Sequence, residues 1–169
     1  MKTGKYPVLT AILLGGLIGG TIDIGSAALI NRFSPVVILH AIASGLIGKA
    51  SFSGGAATAF LGLLLQWSMA LLIAAIYMTA TARIPGMRRR WRSTGIIAGV
   101  VIFIVMNYVV VPLSAAPFRP ELNLHSLLTA FTPYKFVGNL LAMILFGLII
   151  GFFAHYLTSA RKAVSQTAN

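Results

Sequence analysis

The sequence predicts an all-α, polytopic membrane protein with four transmembrane helices and a short interfacial or re-entrant helix between the first two. Three observations carry this. The chain is 58% hydrophobic and only 9% charged, too little charge to cover a soluble domain. It holds four apolar runs near the ~20 residues a helix needs to cross a bilayer. Its basic residues gather in the connectors, where orientation signals sit. Those runs and connectors use up the 169 residues, so 1–169 reads as a single transmembrane domain.

TM1 spans about 7–30. The preceding MKTGKYPV, with Gly25-Ser26-Ala27 downstream, resembles a signal peptide. The apolar run is longer than a signal core of ~7–15 residues and contains Asp23, so an uncleaved span is expected. Ser34 then offers an N-cap and Pro35 suits the first helical position. The helix of about 34–48 is short for a span and should lie on, or dip into, the outer face. Lys49 to Gly55 reads as a turn. TM2 (about 56–80) leads to Pro85-Gly86, a turn signal. Arg83, Arg88, Arg89, Arg90 and Arg92 surround that turn. TM3 (about 94–111) should stop at Pro112. The stretch 113–134 is Pro-rich, but Leu124, Leu127, Leu128 and Phe131 fall at helical spacing, predicting a second interfacial helix over 121–131. TM4 (about 136–157) precedes a polar tail expected to be mobile.

Orientation follows from charge. With both termini cytoplasmic, the inner side carries Lys2, Lys5, the five loop arginines, Arg161 and Lys162, nine of the 13 basic residues. Positive charge stays inside, as the rule requires. This placement also explains the net charge of +11 without nucleic acid. The expected contact is the lipid bilayer, with Arg88, Arg89, Arg90 and Arg92 meeting anionic headgroups at the cytoplasmic face. Thr10–Leu13 and Thr58–Leu61 echo each other too weakly to support an internal repeat.

In lipid, helices pack through small residues that let backbones approach. TM1 carries Gly15, Gly19 and Asp23 at spacing four, TM2 carries Gly62 and Gln66, TM3 carries Gly95, Gly99 and Asn107, and TM4 carries Asn139, Gly147 and Gly151. The main polar residue of each span thus shares a stripe with its small residues. At ~1.5 Å per residue, Asp23 falls about 6 Å outward of the TM1 midpoint. Gln66, Asn107 and Asn139 lie in the same half and can offer amide donors to its carboxyl, with Tyr108 adding a hydroxyl. Two readings follow. The polar groups can simply bond helices together, or Asp23 can be a working acid, since an ionisable group in a span is a functional-site candidate by default.

The remaining candidates are weaker. His40 is expected to pack over the outer mouth and His155 to sit near the inner end of TM4, so the pair cannot share a haem. A metal site from His40, His125 and Glu121 matches no ligand spacing. No metal or cofactor is therefore expected, and the absence of cysteine removes thiolate sites and disulfides. Trp67 should be buried between helices with a partner for its indole N–H, and Trp91 fits the interfacial belt. There is no phosphate loop, HExxH, GxSxG or acid pair within a span, so the sequence favours a non-enzymatic protein.

Three stretches, Gly15 to Asp23, Ser34 to Gly55 and Met106 to Pro117, resemble a group of small uncharacterised bacterial inner-membrane proteins similar in layout to the YagU-like family. The resemblance implies a multi-pass protein of the bacterial inner membrane and assigns no catalytic residue. The function expected from all this is an accessory or structural component, acting with a membrane-protein partner or as a homo-oligomer. The alternatives are a protein that handles protons or small solutes through Asp23 and, more weakly, a lipid or quinone binder.

Overall fold

The structure, a computed structural model, describes residues 7–118, 120 and 132–166, with side chains as far as Leu157 except at Pro85. Helix α1 is Pro7–Asn31 and α2 is Pro35–Ile47, followed by a 3-10 turn over Gly48–Phe52. Helix α3 is Gly55–Arg83 and α4 is Pro85–Arg89. Helix α5 begins as Trp91–Val105, widens into a π-helical turn at Met106–Val110 and ends with Val111–Leu113. Helix α6 is Pro133–Gln166. No strand occurs among the described residues. Five helical stretches are long and apolar enough to cross a membrane, the fifth being Pro35–Phe52, which adds the 3-10 turn to α2. The chain is thus an all-helical protein of multi-pass membrane character.

Local chemistry explains the ends. Ser34 caps α2, its hydroxyl accepting from the Val37 amide at 3.4 Å, with Pro35 in the first turn. Helix α1 closes with Arg32 at φ 56°, and the Phe33 amide donates back to the Ala28 carbonyl at 3.1 Å. That is the left-handed closure usually given to glycine.

Four elements differ from the sequence expectation. Residues 49–55 are not a simple turn, because a 3-10 helix fills Gly48–Phe52. The connector after α3 contains the five-residue α4. Pro112 does not stop α5 but sits inside its last turn. The preceding π turn already replaces i−4 bonds with i−5 bonds, as from the Val111 amide to the Met106 carbonyl, so a missing N–H is tolerated near the end. Helix α6 continues to Gln166, beyond the end near 157 expected for TM4. The second interfacial helix expected over 121–131 lies outside the described residues.

Helix α1 runs antiparallel to α3: Gly16 faces Ala70 and Leu71, while Gly20 faces Gln66, Trp67 and Ala70. It is also antiparallel to α6, with Gly19 against Phe146 and Ile149, and Gly138 against Ile30. Helices α5 and α6 are antiparallel too, Gly95 meeting Gly147 and Leu148, and Gly99 meeting Met143 and Ile144. The C-terminal ends of α1 and α5 therefore lie with the N-terminal ends of α3 and α6. Helix α2 leaves from the end of α1 and returns to the start of α3, so both its ends belong to that one end of the molecule. There Leu39 presses its backbone against Gly62, and Ile38 packs with Ile24 and Ala28. The Ala115 amide, just beyond α5, donates to the Gly45 carbonyl at 2.9 Å.

The core between α1, α3, α5 and α6 is built from Ala11, Ala70, Ala74, Tyr77, Ile102, Phe146 and Ile150 among others. Outward positions such as Leu72, Ile76, Ile97, Val101 and Leu141 are exposed, as expected of a surface whose solvent is lipid.

Candidate functional site

The close approach of α1 to α3 creates the first feature of the site. A Cβ on Gly16 would lie 3.0 Å from the Leu71 Cα, and one on Gly20 would lie 2.9 Å from the Ala70 Cβ. Both distances are too short for ordinary packing, so only glycine allows this spacing. One turn further on, Gln66 Nε2 donates to Asp23 Oδ2 at 2.8 Å. Beside it, Trp67 Nε1 donates to Thr21 Oγ1 at 3.2 Å, while Thr21 donates to the Leu17 carbonyl. Two side-chain bonds thus join α1 to α3 at the depth of Asp23.

The other expected partners are elsewhere. Asn107 Nδ2 donates to the Phe103 carbonyl at 2.8 Å, and Asn139 Nδ2 to the Lys135 carbonyl at 2.7 Å. Each amide satisfies its own helix four residues back, so the three-amide ring around Asp23 reduces to Gln66 alone. Tyr108 packs edge-on to Phe103, ring centroids 6.3 Å apart. His40 lies 2.9 Å from the Gly55 carbonyl through Nε2 and meets Phe52 edge-on, joining α2 to the start of α3 far from Asp23.

The packing glycines sort by partner. Gly95, Gly99, Gly147 and Gly151 line the α5–α6 contact, where a Cβ on Gly99 would lie 2.5 Å from the Met143 carbonyl oxygen. Gly62 faces α2, not another long helix. Gly15 is less demanding than expected, its nearest neighbour, Ile150, being 3.5 Å from a built Cβ. Spacing four found the stripe in α1, but Gly16 and Gly20 turn out to face α3.

At the opposite end, Tyr77 and Thr94 hydroxyls lie 2.9 Å apart and tie α3 to α5. His155 Nδ1 lies 2.9 Å from the Arg88 carbonyl, and its ring stacks on Trp91 at 6.2 Å. Arg92 stands over Trp91, 5.4 Å from the ring centroid. Arg83, Arg89, Arg90 and Arg92 are exposed, and Arg88 is half-buried. His125 and Glu121 lie outside the described residues.

Beside the Asp23–Gln66 bond is a cavity of about 20 Å³, bordered by Met69, Met106, Met143 and Phe146 as well as by the pair itself. A water molecule fits such a space. Asp23 is the only acid among the described residues, and no basic side chain borders the cavity. Sequence reasoning located the acid and its amide partner. It missed the methionines, because they lie on three different helices and no spacing within a single helix links them. Comparison of the chain with protein-family models, with curated proteins and with solved structures finds no match.

Proposed function

We propose that this chain is a small, non-enzymatic integral membrane protein that serves as an accessory or structural component of a larger assembly in the bacterial inner membrane. In this reading α1, α3, α5 and α6 cross the bilayer, α2 is re-entrant at the outer mouth, and both termini are cytoplasmic. The antiparallel order of the four long helices supports it, because α2 leaves and returns at one end. The arginine-rich connector at the other end belongs inside by the positive-inside rule, where it meets anionic headgroups.

The observation that carries the reading is how the internal polar groups are used. Gln66 and Trp67 bond across to α1, and Asn107 and Asn139 bond within their own helices. The first two fix α3 against α1 and the last two are spent inside their own helices, and no nucleophile–base pair is left over among the described residues. Purification in mild detergent tests the role. A stoichiometric membrane partner or a defined homo-oligomer is expected. A chain that runs as a lone monomer in native membranes and in detergent argues against it.

The cavity beside Asp23 favours a second reading, in which the carboxyl takes up and releases protons from the outer side. Proteoliposomes report on this directly. Asp23→Asn should abolish a proton flux carried by the native protein, and equal flux in both ends that reading.

A further inference from the structure

The cavity beside Asp23 brings together donors from all four long helices: Asp23 from α1, Gln66 and Met69 from α3, Met106 from α5 and Met143 from α6. Three of the six methionines in the chain meet at this one space. Met106 also opens the π turn of α5, a local change of helix register that is common at functional sites. Gln66 is the one hydrogen-bond donor to the Asp23 carboxyl among the described residues.

From this we propose that the cavity is a binding site for a soft monovalent cation, Cu(I) or its analogue Ag(I), held by the thioethers of Met69, Met106 and Met143 and balanced in charge by Asp23. The donor set makes the selection. One carboxylate with no basic neighbour balances one positive charge. Ca²⁺ needs six to eight oxygen ligands and Mg²⁺ a regular octahedron of them. The lining side chains carry only one carboxyl and one amide oxygen group. Structural zinc sites use thiolate, imidazole or carboxylate, and no histidine borders this cavity. Thioethers are soft ligands that favour Cu(I). A volume of about 20 Å³ suits a single bare ion, and Phe146, Ile102 and Ile73 complete an apolar surround for it. The inference goes beyond the accessory role and stands or falls separately, since metal binding is measured on the purified chain whether or not it has a partner.

The absence of cysteine makes the test clean, because no thiolate competes. The full chain in detergent is titrated with Cu(I) under anaerobic, reducing conditions against a chromophoric Cu(I) chelator. One equivalent per chain is expected, with sulfur neighbours in its X-ray absorption spectrum. Replacing Met69, Met106 and Met143 together by leucine preserves volume and should eliminate that equivalent while the helical circular dichroism is unchanged. Met106→Leu alone should weaken binding about 10-fold, and Asp23→Asn about 10- to 100-fold, the range seen when groups supporting a metal site are removed. The single Met106→Leu variant keeps the test decisive if the triple variant does not fold. A native chain that cedes all copper to the chelator overturns the proposal. So does a Met106→Leu or triple variant that binds as the native chain does, which would assign the copper to His40, His125 or His155.

Discussion

At Asp23 a single amide donor, from Gln66, meets one carboxyl oxygen at 2.8 Å. Interhelical hydrogen bonds in membranes are worth about 0.6–2 kcal/mol. Replacing Asp23 and Gln66 by alanine singly and together should therefore give a coupling energy in that range in a reversible unfolding assay, since residues in contact are not additive. Additive losses would mean that the bond contributes nothing. Trp67→Phe keeps one aromatic ring but removes the pyrrole N–H that donates to Thr21, and should cost at least about 0.5–1.5 kcal/mol in the same assay. The acid and its amide were legible in the sequence because polar residues are rare in spans and few partners exist. Asn107 and Asn139 were not, because an amide at a helix position can reach its own carbonyl four residues back, and hydropathy does not reveal which way it turns. The bond of His40 to the Gly55 carbonyl depends on a fold that spacing alone does not give.

Among the elements, glycine placement sets how closely helices pack. Around Gly99 the neighbours are backbone atoms of Met143 and Ile144, which cannot rotate aside. Gly99→Ala should force α5 away from α6 and sharply lower accumulation and melting temperature. Gly25 has nothing within 4 Å of a built Cβ, so Gly25→Ala should be tolerated and can gain up to about 1 kcal/mol in helix propensity. Gly15→Ala should fall close to neutral, because its Cβ would make an ordinary 3.5 Å contact with Ile150. Equal melting temperatures for all three variants would contradict this account of helix packing. The sequence marks every one of these glycines as small and apolar. It cannot rank them, since a row at spacing four drifts about 40° per step around the helix and only the fold shows which side meets a neighbour. Pro112 misled for a related reason. Proline ends a regular α-helix, but the π turn before it changes the register of bonds, and nothing in MNYVV announces that turn.

Over the whole molecule, four long apolar helices and one short one were legible because hydropathy and length dominate in a membrane chain. The pairing of helices was not, as lipid-facing and helix-facing residues are equally apolar here. Leu72 and Ile76 are exposed while Ala70 and Ala74 on the same helix are buried. Size distinguishes them better than polarity does. In the proposed topology four helices cross the bilayer while α2 leaves and returns at the outer face. A chain with no cysteine allows a direct test by single replacements at two exposed lysine and arginine positions. In intact cells Lys49→Cys should react with a membrane-impermeant maleimide added outside, and Arg89→Cys should react only after the membrane is opened. If α2 crossed instead, Lys49→Cys would be shielded and Arg89→Cys would label from outside, and that reversed pattern would contradict the account.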